Sequence, residues 1–92
     1  LKADVTALGG RIEIFAGDVR RAEDIKNAVE GGVKAFGAID ILFANAGICA
    51  YGASHELTEE EWDSMLDINL KGSWLTSKYA IPHMIRQKSG VI

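Results

Sequence analysis

The spacing of hydrophobic positions changes along the chain, and two stretches have the character of buried strands. Residues 12–16 are short, β-branched and aromatic, with glycines nearby on both sides, which favours a strand over a helix. Residues 39–44 are almost continuously apolar, as in a strand covered on both faces of a parallel sheet. A further strand is predicted to begin at residues 90–92.

Helical spacing separates these predicted strands. Leu1, Val5 and Leu8 lie on one helical face, and glycines follow where a helix would end. A third helix is predicted from Glu59 to Arg86, with a capping box at its start and a kink near Pro82. Between the first and the third helix, a second helix is predicted from apolar positions at helical spacing, with Gly37 as its C-terminal cap. These positions are Ile25, Ala28, Val29, Val33 and Phe36.

Strands that alternate with helices predict an α/β fold in which a parallel sheet is joined by right-handed crossovers. The 92 residues make one domain at most, and 48% of them are hydrophobic, as in a globular protein. The net charge of −3 and the scattered basic residues argue against a nucleic-acid partner. No apolar run is long enough for a membrane span, and the single cysteine, Cys49, suits a reducing cytoplasm.

Candidate functional residues follow the predicted strands, because ligands of open α/β sheets bind outside the carboxyl ends of the strands. Asp18 and Val19 follow the first strand, and Asn45, Ala46 and Gly47 follow the second. The Asp18 carboxylate can accept a hydrogen bond from a purine amine, or it can organise the strand-to-helix turn. Gly47 lets a ligand approach the backbone, or it belongs to an ordinary turn that ends the strand.

Other residues that could suggest chemistry are poorly placed for it. Ser77, Lys78 and Tyr79 are consecutive, so a helix points them in different directions. His55 and His83 lack a second ligand at metal-binding spacing, and no metal site is predicted. The loop from Ile48 to Tyr51 either lines a substrate pocket or is a buried connection, and Cys49 has no local base that would make it a nucleophile.

Several short motifs occur together in one order, and the set is more specific than any of its members. The motifs are Gly17-Asp18-Val19, Ile39-Asp40-Ile41-Leu42, Ala44-Asn45-Ala46-Gly47-Ile48, Leu57-Thr58-Glu59-Glu60-Glu61-Trp62 and Asn69-Leu70-Lys71-Gly72. This set resembles the short-chain dehydrogenase/reductase family over essentially the whole chain, and the loop from Cys49 to Gly52 is similar to that of carveol-dehydrogenase-type members.

The resemblance implies a doubly wound Rossmann sheet of order 3-2-1-4-5-6-7, of which the chain would cover strand 3 to the start of strand 5. Its two complete strands would then not be neighbours. The glycine-rich cofactor loop, the catalytic serine and the Tyr-x-x-x-Lys pair of the family are not in the sequence. We therefore expect the chain to be a central fragment that alone neither folds stably nor turns over substrate.

The resemblance also implies roles for individual residues. Asp18 and Val19 would bind the adenine ring of NAD or NADP, and Asn45, Ala46, Gly47 and Ile48 would line the cofactor, with Ala44 in place of the usual first asparagine. Asn69 resembles the catalytic asparagine, whose backbone carbonyl holds a water in a proton relay. From the residue alone, Asn69 could instead be a solvent-facing or helix-bending asparagine.

The implied activity is hydride transfer between a nicotinamide and an alcohol or carbonyl substrate. One alternative is a non-catalytic NAD(P)-binding regulator on the same fold, and another is a flavodoxin-like interaction domain. The family also implies a homo-oligomer, a dimer or a tetramer, in which the third helix packs at a subunit interface. An apolar stripe on that helix would face either the partner or its own sheet, and it comprises Trp62, Leu66, Leu70 and Trp74.

Overall fold

The computed structural model describes residues 1–92 and is mostly helical. Helix α1 spans Lys2–Ala7, and α2 spans Ala22–Phe36. The last three elements follow one another without a break: α3 at Glu59–Met65, a π-helical segment at Leu66–Lys71, and α4 at Gly72–Gln87. We call this continuous run from residue 59 to residue 87 the long helix.

The second predicted helix is confirmed, and its ends follow local chemistry. Glu23 and Asp24 lie in the first turn of α2, where the helix dipole favours negative charge. Gly37 ends the helix with a φ of 89°, and its amide bonds the carbonyl of Val33. Glycine adopts this left-handed conformation without the steric penalty of a side chain, so the helix stops where the sequence predicts.

The predicted capping box at the start of the long helix is also confirmed. The amide of Glu61 donates to the Thr58 hydroxyl at 3.1 Å, and the amide of Thr58 donates to the Glu61 carboxylate at 2.9 Å. The bond from the Thr58 amide lowers the pKa of Glu61. Two amides that the helix itself cannot pair are thus satisfied reciprocally.

The predicted kink near Pro82 is not the main irregularity of the long helix. The α-helix continues through Pro82 to Gln87, one residue beyond the predicted end at Arg86. The hydrogen-bonding pattern changes instead at Leu66–Lys71, where Asn69 lies inside the π-helical segment. Such segments are rare in proteins and occur frequently at functional sites.

The predicted strands do not form a sheet within this chain. The segment 12–16 makes no backbone hydrogen bond to another part of the chain. In the second segment, only a parallel bridge between Ile41 and Val91 forms, with bonds from Leu42 to Val91 and from Val91 to Asp40. A strand is stabilised by pairing with a neighbour, and in the implied strand order segments 12–16 and 39–44 are not neighbours.

The buried core is small and lies between α2 and α4. Five of the 92 residues are buried, namely Ile25, Gly72, Leu75, Ala80 and Met84. The chain measures 48 × 32 × 21 Å, and its radius of gyration of 15.9 Å exceeds the roughly 12 Å typical of a compact domain of this length. None of the helices combines the length and the apolar character that a membrane crossing requires.

The glycine pair within α2 is explained at only one of its two positions. A Cβ on Gly31 would overlap the ring of Phe15, so the absence of a side chain lets that ring lie against the helix. A Cβ on Gly32 would meet nothing within 4 Å. The close approach at Gly31 is thus made by the Phe15 side chain.

Candidate functional site

An open cleft of about 160 Å³ lies where segment 39–48 passes α2 and α4. Val19, Asn45 and Ala46, three of the seven predicted site residues, line it. Asp18, Gly47, Ile48 and Asn69 lie outside its lining. The long helix adds residues that sequence reasoning missed, and the complete lining is Val19, Ile25, Phe43, Ala44, Asn45, Ala46, Gly72, Ser73 and Thr76.

The Asn69 side chain holds the backbone of Ile48 through two hydrogen bonds. The Ile48 amide donates to Asn69 Oδ1 at 2.8 Å, and Asn69 Nδ2 donates to the Ile48 carbonyl at 2.9 Å. A side-chain amide carries one acceptor and one donor group, so it can satisfy both backbone groups of a single residue. The segment that leaves the cleft is therefore bound to the long helix at a defined point.

Gly47 and Ser73 complete the surroundings of Asn69. A Cβ on Gly47 would lie 3.3 Å from Asn69 Oδ1, closer than most such contacts, so the small residue fits the close approach of the helix. The backbone carbonyl of Asn69 accepts a hydrogen bond from Ser73 Oγ at 2.8 Å. The side chain of Asn69 thus bonds Ile48, and its backbone carbonyl bonds Ser73. The side chain is therefore not one that contacts solvent only.

Asp18 organises the turn into α2. This is the role that the sequence predicted as the alternative to binding a purine amine. Its Oδ1 accepts from the Arg20 amide at 2.9 Å, and both carboxylate oxygens accept from the Arg20 guanidinium. The hydrogen bonds from Arg20 lower the pKa of Asp18 to about 2. The amide of Asp18 donates to Asp24 Oδ2 at 3.0 Å, which ties the turn to the first turn of α2.

Val19 lies directly on the backbone of the long helix at Gly72. A Cβ on Gly72 would meet Val19 Cγ2 at 2.8 Å and Val19 Cβ at 3.1 Å. Gly72 is buried, and it is the first residue of α4 after the π-helical segment. The sequence offered a signal for this contact, because a glycine inside a helix usually needs a packing reason.

The residues that the sequence marked as poorly placed have other partners. Lys78 Nζ lies 4.9 Å from the centre of the Trp74 ring, in a cation–π contact. His83 Nδ1 pairs with the Arg86 guanidinium at 2.9 Å. No group of three histidine, cysteine, aspartate or glutamate side chains converges as a metal site would require.

Comparison with known proteins gives one consistent family. The model of the short chain dehydrogenase family matches residues 1–92. The chain is 42% identical over 88 residues to an uncharacterized oxidoreductase of Thermotoga maritima, covering 96% of this chain and 34% of the relative. It is 39% identical over 88 residues to (-)-trans-carveol dehydrogenase of Rhodococcus erythropolis, covering 95% and 32% respectively.

A solved structure agrees with this result. The crystal structure of carveol dehydrogenase from Mycobacterium avium in complex with NAD superposes with a TM-score of 0.87 at 38% identity, covering 95% of this chain and 32% of that one. The chain therefore spans about a third of the length of the proteins it matches. The family model matches all 92 residues and the fold match covers 95% of them, and together they identify the chain as a member of the short-chain dehydrogenase family.

Proposed function

We propose that the chain forms the central part of the NAD(P)-binding domain of an oxidoreductase that acts on an alcohol or carbonyl substrate. The double hydrogen bond between Asn69 and Ile48 carries the proposal, because it positions the segment Asn45–Ile48 beside the cleft. The carveol dehydrogenase structure with NAD and the oxidoreductase relatives support it. Membership of the family removes the flavodoxin-like alternative.

The residues around the cleft fit one part of a dinucleotide. Complete ligand pockets usually measure about 300–1,000 Å³, and the cleft at about 160 Å³ would take only a fragment of a dinucleotide. One part of its wall is made of small residues, Ala44 and Ala46, on either side of Asn45. Small side chains let a sugar approach the backbone closely, so we assign this wall to the cofactor.

Asp18 and Val19 are assigned to the adenine end of the cofactor. The half-buried Val19 makes no hydrogen bond through its amide, which leaves that donor free for a ring nitrogen. The Asp18 carboxylate already accepts several hydrogen bonds from Arg20, so an adenine amine would compete with that guanidinium. Val19 is therefore the better supported of the two contacts.

The chemistry assigned to this chain is binding and orientation. A nicotinamide, when bound, supplies or accepts the hydride. Ile48 holds one side of the site, since Asn69 fixes its backbone against the long helix, and Gly47 leaves room for the Asn69 side chain. For the proton relay, we assign the backbone carbonyl of Asn69 as the acceptor that would hold a water. That water would share the carbonyl oxygen with the Ser73 hydroxyl, which also donates to it.

We further propose that the intact protein is a homo-oligomer and that the apolar stripe of the long helix contributes to its interface. Trp62, Leu66, Leu70 and Trp74 are 56%, 41%, 67% and 56% exposed. The buried residues of α4, such as Leu75 and Ala80, lie on the side that packs against the rest of this chain. The stripe is thus not the face that packs within the chain, which favours a partner surface.

The free, exposed Cys49 suits a reducing cytoplasm.

The strand range is part of the same proposal. We assign residues 12–16 to strand 3, residues 39–44 to strand 4 and residues 90–92 to the start of strand 5. The parallel bridge between Ile41 and Val91 supports the last two assignments, because strands 4 and 5 are neighbours in the implied order. Segment 12–16 would pair with a strand outside this sequence.

Fluorescence titration of the intact protein with NADH and with NADPH tests the function. We expect saturable binding of at least one nucleotide, and weaker binding by Asn69→Leu, which loses both bonds to Ile48. The matched control is Asn27→Leu, because Asn27 is exposed on α2 and its side chain makes no hydrogen bond within the chain. Absence of binding of both nucleotides would contradict the proposal, and binding without turnover of any alcohol or carbonyl would indicate the non-catalytic regulator.

A further inference from the structure

The loop that follows the cofactor segment is attached to the long helix at a second point. The Ala50 amide donates to Met65 Sδ at 3.4 Å, two residues beyond the Ile48 backbone that Asn69 holds. Met65 and Asn69 are four residues apart on the long helix, so they reach the loop from successive turns. The helix therefore determines the path of the loop from Ile48 to Ala50.

The contact with the thioether is the only hydrogen bond that the Ala50 amide makes. No backbone group pairs with this amide, and Ala50 is half-buried. A buried or half-buried amide that lacks a partner is destabilising, and the methionine sulfur is a weak but adaptable acceptor. The Ala50 carbonyl accepts from the Cys49 thiol at 3.6 Å, so sulfur atoms meet both backbone groups of this residue.

The position of Met65 in the helix makes the contact sensitive to the local helix type. Met65 is the last residue of α3, and the π-helical segment begins at Leu66. The wider π turn changes the angular offset between Met65 and Asn69 from that of a regular α-helix. The two attachment points thus depend on the same irregular turn, and we expect them to set the loop as a unit.

We propose that Met65 is a positioning residue for substrate binding, and that its thioether, through the Ala50 amide, holds the loop from Ile48 to Tyr51 in the shape that the substrate meets. This inference rests on the proposed function and on the alternative, given by the sequence, in which the loop from Ile48 to Tyr51 lines a substrate pocket. Leucine fills a similar volume but accepts no hydrogen bond, whereas glutamine retains an acceptor of similar reach.

The test compares Met65→Leu and Met65→Gln in the intact protein, with an alcohol or carbonyl substrate that it turns over. Loss of one hydrogen bond corresponds to about a fivefold change in an equilibrium constant. We expect Met65→Leu to raise KM about fivefold, with kcat and the dissociation constant of the nucleotide within twofold of the wild type. Met65→Gln should keep KM within about twofold. Equal increases in KM for both variants, or no increase for Met65→Leu, would overturn the proposal.

Hydrogen–deuterium exchange at the Ala50 amide keeps the test independent of catalysis. We expect faster exchange in Met65→Leu than in the wild type and in Met65→Gln, whether or not a nucleotide binds. The matched control is Met84→Leu, because Met84 is the only other methionine of the chain and its sulfur makes no hydrogen bond. Unchanged exchange in Met65→Leu would refute the contact, whereas failure of nucleotide binding with faster exchange would refute the proposed function and leave the contact established.

Discussion

The side chain of Asn69 bonds both backbone groups of Ile48, and Gln87 repeats this arrangement with Ile39 at the other end of the same segment. The Ile39 amide donates to Gln87 Oε1 at 3.1 Å, and Gln87 Nε2 donates to the Ile39 carbonyl at 3.0 Å. Residues 69 and 87 are about 27 Å apart along a helix, close to the roughly 30 Å that nine extended residues span. The long helix thus runs antiparallel to segment 39–48 and holds it at both ends.

Asn69→Asp should weaken the attachment at Ile48. The introduced carboxylate can accept from the Ile48 amide but places a second oxygen against the Ile48 carbonyl, where Nδ2 now donates at 2.9 Å. We expect the free energy of unfolding to fall by about 1 kcal/mol at pH 7, measured by chemical denaturation of the intact protein. The loss should shrink as the carboxyl protonates at low pH, because the neutral form donates again. A loss of the same size in Asn27→Asp would contradict this explanation.

Gln87→Glu should have a larger effect at Ile39. This pair is partly buried, and the substitution removes the donor to the Ile39 carbonyl. An unpaired group in such surroundings costs about 1–3 kcal/mol, and we expect a decrease of that size in the free energy of unfolding. Because Ile39 lies far along the segment from the cleft, nucleotide affinity should change less than in Asn69→Leu. The reverse order of the two effects on affinity would show that the ends of the segment are not independent.

Gly72→Ala and Gly32→Ala should change stability in opposite directions. In a helix interior, alanine is favoured over glycine by about 1 kcal/mol, and a Cβ on the half-buried Gly32 would meet nothing within 4 Å. At Gly72 the added Cβ would lie 2.8 Å from Val19 Cγ2, and overpacking of this kind costs about 1–3 kcal/mol. Thermal unfolding of both variants measures the difference. A stabilised Gly72→Ala protein would mean that Val19 moves away without cost.

The pair formed by Asp18 and Arg20 should make stability depend on pH in the acid range. The folded protein has a pKa of about 2 for Asp18, below its ordinary value of 3.8, because Arg20 bonds the charged form. A depressed carboxyl pKa stabilises the fold above the unfolded value, so the contribution is complete above about pH 4 and is lost as pH falls towards 2. Carboxyl resonances followed by NMR should show this titration, and Arg20→Ala should raise the pKa of Asp18 towards its ordinary value. An unchanged pKa in that variant would exclude Arg20 as the cause.

The ends of helices and the family could be predicted from the sequence because their signals are local. Thr58 and Glu61 are three residues apart, and Gly37 follows α2 directly, so each boundary depends on neighbours within one helical turn. The turn in which Asp18 accepts from the Arg20 amide is equally local, and the sequence predicted it as one of two roles for Asp18. The motif order likewise needed only the sequence to indicate the family that the comparisons show.

The tertiary structure alone decided how these elements meet. Asn69 and Ile48 are 21 residues apart, and Gln87 and Ile39 are 48 apart, so no local pattern indicates which backbone groups the amides bind. The predicted strands could not be confirmed from their apolar character, because a strand is completed by the hydrogen bonds of a neighbouring segment. Residue type and short-range spacing therefore determined the helix boundaries and the candidate site residues, and packing between distant segments determined which of those residues come together.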